Sequence, residues 1–223
     1  MKALRENSLT ICFLILFFGA LTGQAIAGHA NFNNDQLQHG GSDVSLWSYV
    51  TSASYGQAVL ENWQSEYLQF TLYILLTVWF VQRGSPESKE LGHEGGDSDE
   101  EQKLGRYATA NSPAWARAPG WRQKVYANSL VIVMGFIWIC SWLGQSLSGW
   151  TEYSDQRMEH LQAPVSWTDY LGSASFWENT LQNWQSEFLA IASMAILAVY
   201  LRQRGSPESK PVGAPHAATG TDG

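Results

Sequence analysis

Two long stretches of the chain contain no charged side chain. One covers residues 7–34 and the other covers residues 125–151, and each is longer than the roughly 20 apolar residues that cross the hydrocarbon of a bilayer. Two shorter apolar runs follow Glu66 and Glu187. Together these runs predict four membrane-spanning helices, at residues 8–27, 63–82, 129–148 and 184–202.

The two halves of the chain share sequence at a constant offset of 121 positions. The segment Asn-Trp-Gln-Ser-Glu begins at Asn62 and again at Asn183, and Gln-Arg-Gly-Ser-Pro-Glu-Ser-Lys covers residues 82–89 and again 203–210. Because each half holds two apolar runs, the second half enters the membrane in the same orientation as the first. The predicted fold is therefore all-α, a polytopic membrane protein with four transmembrane helices from two parallel two-helix repeats.

This pattern divides the chain into four parts. Residues 1–89 form the first two-helix repeat and residues 122–210 form the second. Residues 90–121 are rich in glycine, proline and acidic side chains, which predicts a flexible cytoplasmic linker. Residues 211–223 have a similar composition and are predicted to be a disordered tail.

The N-terminus resembles a secretory signal peptide. Lys2 and Arg5 precede the first apolar run, and residues 25–27 read Ala-Ile-Ala, as at a cleavage site. However, the matching run in the second half lies in the middle of the chain, where no signal peptide occurs. We therefore expect residues 1–27 to be retained as a membrane helix, and N-terminal sequencing that begins at Gly28 would contradict this.

Basic residues are distributed unevenly around the predicted helices. Of the 13 Lys and Arg residues, 12 lie before the first predicted helix, between the second and the third, or at or after the end of the fourth, and the loops 28–62 and 149–183 contain only Arg157. The positive-inside rule then places both termini and the linker in the cytoplasm. Four side chains are predicted to anchor the helices at the membrane interfaces: Trp63, Arg83, Trp184 and Arg204.

Helix-start signals occupy matching places in the two outer loops. Ser45 and Ser166 are predicted to cap short surface helices that carry Tyr49 and Tyr170. Two capping boxes, Ser54 with Gln57 and Ser175 with Glu178, are predicted to start the second and fourth long helices.

The repeated Asn-Trp-Gln-Ser-Glu segment is the main candidate site. Only 16 uncharged residues separate Glu66 from Arg83, and only 14 separate Glu187 from Arg202, so each glutamate is drawn toward the outer edge of the hydrocarbon. Ionisable groups at membrane depth often mark functional paths. One hypothesis is a polar pit, formed by both copies in pseudo-symmetric positions, that binds or passes a small cation or proton. The alternative is a structural hydrogen-bonding cluster. The candidate residues are Asn62, Gln64, Glu66, Asn183, Gln185 and Glu187.

Two further features were considered for chemistry. His39 and His160 form a matched pair that a haem or metal would need, but no second ligand stands at metal spacing, so we expect no metal and no cofactor. The Arg-Gly-Ser-Pro-Glu-Ser-Lys copies leave open a cytoplasmic protein partner or a lipid headgroup contact. No catalytic motif occurs, and the net charge of −7 implies no nucleic-acid partner. We therefore do not expect an enzyme.

The same two segments, Asn-Trp-Gln-Ser-Glu-Phe-Leu and Arg-Gly-Ser-Pro-Glu-Ser-Lys-Pro-Val, resemble a family of bacterial membrane proteins known only as a domain of unknown function. The resemblance implies the bacterial inner membrane and implies no activity or ligand. The sequence thus predicts a structural or interaction protein in the lipid bilayer, with a homo-oligomer left open. Cation or proton conduction around Glu66 and Glu187 is the second choice.

Overall fold

The computed structural model describes residues 2–220, and within this part the chain is helical and contains no strand. The four long helices are α2 (Ser8–Gln38), α4 (Ala53–Leu76), α7 (Ser129–Glu159) and α9 (Ala174–Tyr200). The short ones are α1 (Lys2–Glu6), α3 (Leu46–Val50), α5 (Ala114–Arg117), α6 (Trp121–Ala127) and α8 (Trp167–Leu171), with a 3₁₀ turn at Gly105–Tyr107. The all-α prediction is confirmed for the described residues. The predicted tail extends past residue 220, so its last residues lie outside them.

Two of the long helices have the length and apolar composition needed to cross a membrane. These are α2 and α7, both 31 residues long. Helices α4 and α9 do not reach this standard among the described residues. Each carries the polar Asn-Trp-Gln-Ser-Glu segment well inside the helix, which leaves only a short apolar part. The sequence therefore predicted four membrane-spanning helices, whereas two of the described helices, α2 and α7, have the length and apolar composition of one.

The second long helix ends earlier than predicted. Helix α4 stops at Leu76, although apolar residues continue to Val81. The hydroxyl of Thr77 donates to the carbonyl of Tyr73 at 2.8 Å, and the amide of Gly95 donates to the carbonyl of Val78 at 2.7 Å. The hydroxyl of Thr77 thus adds a bond to a carbonyl of the last turn, and a loop amide bonds a carbonyl two residues past the helix. Helix α9 ends at Tyr200, two residues before the predicted boundary.

The predicted caps are correct for the short helices α3 and α8 and wrong for the long helices α4 and α9. Ser45 accepts a bond from the amide of Ser48 at 3.1 Å, and Ser166 accepts one from the amide of Asp169 at 3.2 Å. Helices α4 and α9 start at Ala53 and Ala174, one residue before the predicted capping boxes. Their capping hydroxyls belong to other serines: Ser52, bonded by the amide of Tyr55 at 3.3 Å, and Ser173, bonded by the amide of Phe176 at 3.2 Å.

The helices group into two compact units. The first unit contains the described residues up to Glu61 together with Leu143–Trp177, and the second contains Asn62–Trp142 together with Glu178–Gly223, of which 178–220 are described. Each unit takes residues from both halves of the sequence.

The first unit is built around two buried tyrosines. Tyr49 on α3 contacts Gly28 of α2 so closely that a Cβ at position 28 would overlap the phenol hydroxyl. Tyr170 on α8 stands in the same relationship to Gly149 of α7. The glycines are therefore required by close approach of the tyrosine ring, and the two helix pairs pack in the same way.

Two loops of this unit, between α2 and α3 and between α7 and α8, make matching hydrogen bonds to the long helix before them. The ring nitrogen Nε2 of His29 lies 2.7 Å from the carbonyl oxygen of Val44, and Nε1 of Trp150 donates to the carbonyl of Val165 at 2.7 Å. Both carbonyls lie just before the short helices α3 and α8. A ring nitrogen of the long helix thus fixes the approach to each short helix.

In the second unit, the buried residues of α4 are mostly polar. Gln64, Ser65, Gln69 and Thr71 are buried together with Leu68. Buried polar side chains need hydrogen-bond partners, and those partners define the candidate site.

Candidate functional site

The two Asn-Trp-Gln-Ser-Glu copies meet through one side-chain hydrogen bond in the second unit. Nε1 of Trp184 donates to Oε1 of Gln64 at 2.8 Å, and the side chain of Gln64 is 0% exposed. An indole N–H has one donor and no acceptor, so it suits a fixed amide oxygen. The tryptophan of the second copy therefore recognises the glutamine of the first.

A second bond strengthens the same contact between helices. The side-chain amide of Gln69 donates to the backbone carbonyl of Glu187 at 2.9 Å. In an α-helix the carbonyl of residue 187 accepts a hydrogen bond from the backbone amide of residue 191. Its second lone pair is available to accept the hydrogen bond from Gln69. Gln69 lies in the middle of an apolar run. A lone amide side chain in such a run could have indicated a hydrogen bond between helices.

The two copies are not placed equivalently, which corrects the expectation of pseudo-symmetric positions. Gln64 is buried, whereas its counterpart Gln185 is exposed, and Ser65 is buried where Ser186 is exposed. Both serines make the same local bond, to the carbonyl three residues earlier, at 2.9 and 2.8 Å. The difference therefore comes from the faces that α4 and α9 present to their neighbours rather than from local conformation.

The two glutamates also differ in their surroundings. Glu66 is exposed and Glu187 is half-buried, and the two carboxylates are close enough for their charges to repel. Asn62 is exposed, while Asn183 is half-buried and donates to the carbonyl of Asn179 at 2.9 Å. The structure thus brings both glutamates into one region of the second unit without making them equivalent.

The predicted interface anchors fall into two classes. Arg83 and Arg204 are exposed in the chain that follows α4 and α9, and Trp63 is exposed on α4. Trp184 is instead half-buried and bonded to Gln64. Arg202, which was not proposed as an anchor, donates to the carbonyls of Val199 and Leu201 at 3.1 and 2.7 Å and so caps the end of α9.

An apolar cavity of about 520 Å³ adjoins this layer in the second unit. Its walls come from α4, from the chain that follows α4 and from α9, and the residues that line it include Gln69, Tyr73, Phe80, Phe188 and Ala192. The hydroxyl of Tyr73 donates to the carboxylate of Glu87 beside it. Neither Glu66 nor Glu187 lines this cavity, so it is not the polar pit that the sequence suggested.

The two identical eight-residue segments fold into the same turn. Gly84 and Gly205 both have positive φ, at +87° and +82°, which only glycine adopts readily. In the first copy, Ser88 Oγ accepts from the amide of Gln82 at 2.8 Å. In the second, Ser209 Oγ accepts from the amide of Gln203 at 2.9 Å. We call these the first turn (residues 82–89) and the second turn (residues 203–210).

The lysine that ends each turn binds the segment that follows it. Lys89 donates to the carbonyl of Gly95 at 2.8 Å and to the carboxylate of Asp97 at 2.6 Å. Lys210 is 1% exposed and donates to backbone carbonyls alone. Those of Pro215, His216 and Ala218 lie at 3.3, 2.9 and 3.1 Å, and that of Gly84 lies at 2.5 Å. Burial lowers the pKa of Lys210, and the nearby positive charge of Arg202 adds to this effect.

An acidic cavity of about 400 Å³ lies in the first unit, outside the predicted spans, and the sequence analysis missed it. Asp35 of α2 and Glu152, Asp155 and Glu159 of α7 line it. Burial raises the pKa of Glu152, the hydrogen bond from Gln156 opposes this shift, and the three neighbouring carboxylates add to it. No group of three or more metal-ligating side chains with metal-site geometry is found among residues 2–220.

The matched histidines do not form a ligand pair. His39 Nδ1 lies 3.0 Å from the carbonyl of Asp35, and His160 Nδ1 lies 2.7 Å from the carbonyl of Gln156. Each ring therefore bonds a carbonyl at the end of its own helix, α2 or α7, which is a structural role.

Comparison with known proteins places this chain in a family. The model of a family described as Domain of unknown function (DUF6766) matches residues 1–221. The chain belongs to this family. The resemblance drawn from the two repeated segments is thereby confirmed at the level of a domain of unknown function. No curated protein and no solved structure matches the chain, so the DUF6766 assignment brings neither an activity nor a ligand to the residues described above.

Proposed function

We propose that this protein is an integral membrane protein with a structural or interaction role and no enzymatic activity. The observation that carries the proposal is the surface of α2. None of its 18-residue apolar window is buried within the protein, and large side chains point outward on every side of the helix, including Leu9 at 72%, Phe13 at 64% and Ile15 at 67% exposure. A helix that is apolar all round and uncovered by protein fits a lipid environment, and this supports the proposal.

Helix α7 supports the same conclusion. Its N-terminal part exposes Leu130, Val133 and Phe136, and its apolar window is 17% buried. The finer topology that we propose has four crossings arising from a tandem duplication. In it α4 and α9 cross as short helices, both termini and the linker face the cytoplasm, and the membrane is the bacterial inner membrane. The clustering of basic residues at the chain ends and in the linker supports this orientation.

Alkaline carbonate extraction and reporter fusions test this proposal. We expect the protein to remain in the membrane pellet, and fusions within residues 28–62 and 90–120 to report opposite sides. Release into the supernatant would contradict membrane insertion. Fusions that report the same side would contradict the topology while leaving insertion intact.

A second candidate function is conduction of a small cation or proton. It is favoured by the electrostatic interaction between Glu66 and Glu187, because like charges held together near the membrane stabilise a bound cation. Purified protein in liposomes should then show a flux that is lost in the Glu66→Gln plus Glu187→Gln variant and kept in the exposed control Glu178→Gln. Absence of flux in the wild type would remove this candidate.

A further inference from the structure

The first turn is covered by the segment of residues 211–220 in the second unit. The amide of Gly84 donates to Oγ1 of Thr219 at 2.9 Å, and the amide of Gly220 donates to the carbonyl of Ser85 at 3.1 Å. A Cβ at Gly84 would overlap the carbonyl oxygen of His216. A Thr-Gly pair is thus bound by one backbone donor and one backbone acceptor of the turn.

The second turn has the same sequence but no such cover. No atom lies within 4 Å of a Cβ built on Gly205, whereas Gly84 is tightly enclosed. Gly205 is exposed and Gly84 is buried. Among the described residues, the amide of Gly205 has no hydrogen-bond partner, although the equivalent amide of Gly84 has one.

The conformation of the second turn matches that of the covered one. The φ angles of the two glycines differ by only a few degrees, and the serine-to-amide bond that closes each turn recurs. The second turn therefore presents the same donor and the same backbone shape. A surface that already binds a Thr-Gly segment in one copy is open in the other.

We propose that the second turn binds Thr219 and Gly220 supplied by a second copy of this chain. Moving Thr219 and Gly220 from the first turn of their own chain to the second turn of a neighbour replaces both hydrogen bonds. The amide of Gly205 is the new donor, and the new acceptor is the second lone pair of the Ser206 carbonyl, which also accepts from the amide of Ser209 at 3.2 Å. Such an exchange of identical contacts is a common route to association between copies. The bonds from Lys210 to Pro215, His216 and Ala218 stay within the chain. This proposal deepens the interaction role proposed above and does not depend on the membrane topology.

The first test measures binding of a labelled, amidated peptide of residues 211–220 to the full chain in detergent, by fluorescence anisotropy. We expect saturable binding to one site. A peptide with Thr219→Val should bind at least tenfold more weakly because it lacks the hydroxyl acceptor, and the protein variant Gly205→Ala should also bind at least tenfold more weakly. The matched variant Gly92→Ala, at a positive-φ glycine in open space outside both turns, should bind as the wild type does. Absence of binding, or an equal loss in Gly92→Ala and Gly205→Ala, would overturn the proposal.

The second test identifies the source of the segment by co-capture of two differently tagged full chains. Capture should be lost when both chains carry Gly205→Ala and when both carry Thr219→Val. It should return when one chain carries each substitution, because one intact turn then faces one intact segment. Equal capture in all three pairings would show that the second copy is not the partner.

Discussion

The indole of Trp184 donates its single N–H to the buried amide oxygen of Gln64, 120 positions earlier in the chain. Both residues belong to identical five-residue segments, yet each contributes a different member of the segment to the contact. The bond joins α4 to α9 inside the second unit, and the bond from Gln69 to the carbonyl of Glu187 reinforces it.

Removing the indole donor should destabilise the protein. We expect Trp184→Phe to lower the free energy of unfolding by about 1–3 kcal/mol, because the buried amide oxygen of Gln64 loses this donor. Thermal unfolding in detergent measures the effect. The double variant with Gln64→Leu should lose less than the sum of the two single losses. Gln185→Leu is the control, since this glutamine is exposed, and a loss as large as that of Trp184→Phe would argue against the contact.

Gly28 and Gly149, which contact the hydroxyls of Tyr49 and Tyr170, should not tolerate a methyl group. We expect Gly28→Ala and Gly149→Ala each to cost about 1–3 kcal/mol, as overpacking does. Gly23→Ala lies on the same helix as Gly28 in open space and should be neutral or slightly stabilising. Denaturant titration in mixed micelles compares the three.

Rescue separates steric overlap from other causes. Adding Tyr49→Phe to Gly28→Ala removes the hydroxyl that meets the new Cβ, and we expect part of the loss to be recovered. A double variant no more stable than Gly28→Ala would contradict the overlap.

The acidic cavity predicts a pH dependence of stability. The pKa of Glu152 is raised in the folded state, so between the ordinary glutamate range and the raised value the folded state binds more protons than the unfolded state. Stability from this group is therefore full at low pH and decreases as pH rises. We expect Glu152→Gln to raise the melting temperature at pH 7.5 by a few degrees, since about 1 kcal/mol shifts it by about 2–4 °C in a protein of this size.

The pH profile itself provides the check on that prediction. The difference in melting temperature between Glu152→Gln and the wild type should shrink as the pH falls toward 4.5, because the wild-type carboxyl takes up its proton in that direction. Glu159→Gln, at an exposed position of the same cavity, should show a smaller effect. A difference that does not change with pH would assign the gain to something other than the charge.

The observed helix caps can be tested against the predicted ones. Ser52→Ala and Ser173→Ala should each cost about 1 kcal/mol, because each removes the acceptor for a free amide at the start of a helix. Ser54→Ala and Ser175→Ala, at the positions expected from the capping-box pattern, should change stability by less than half of that. Equal effects at both pairs of positions would contradict the observed caps.

The sequence predicted the parts of this fold that depend on local chemistry. The caps at Ser45 and Ser166 follow from the preference of serine for that position, and they were found as expected. The caps of α4 and α9 were misplaced by two residues, because a glutamine or glutamate three residues after Ser54 or Ser175 gave the stronger local signal. The structure instead uses Ser52 and Ser173, each with an aromatic residue three positions later, and no short-range rule favours them.

Contacts between distant parts of the chain could not be predicted from the sequence. Identical segments at 62 and 183 suggested equivalent positions, but burial depends on which face of each helix meets a neighbour. The end of α4 at Leu76 could not be predicted either, because it also involves a contact with a distant part of the chain. The amide of Gly95 that donates to the carbonyl of Val78 comes from the predicted linker. The hydrophobic run itself does not indicate which of its carbonyls this amide will bond.

The unequal use of Gln64 and Gln185 means that the two halves of the chain are no longer interchangeable. A protein assembled from two copies of the second half would retain both indoles but would place Ala190 where Gln69 now donates to the facing helix. Because alanine cannot donate this bond, the first half supplies a side chain to the contact that the second half cannot replace.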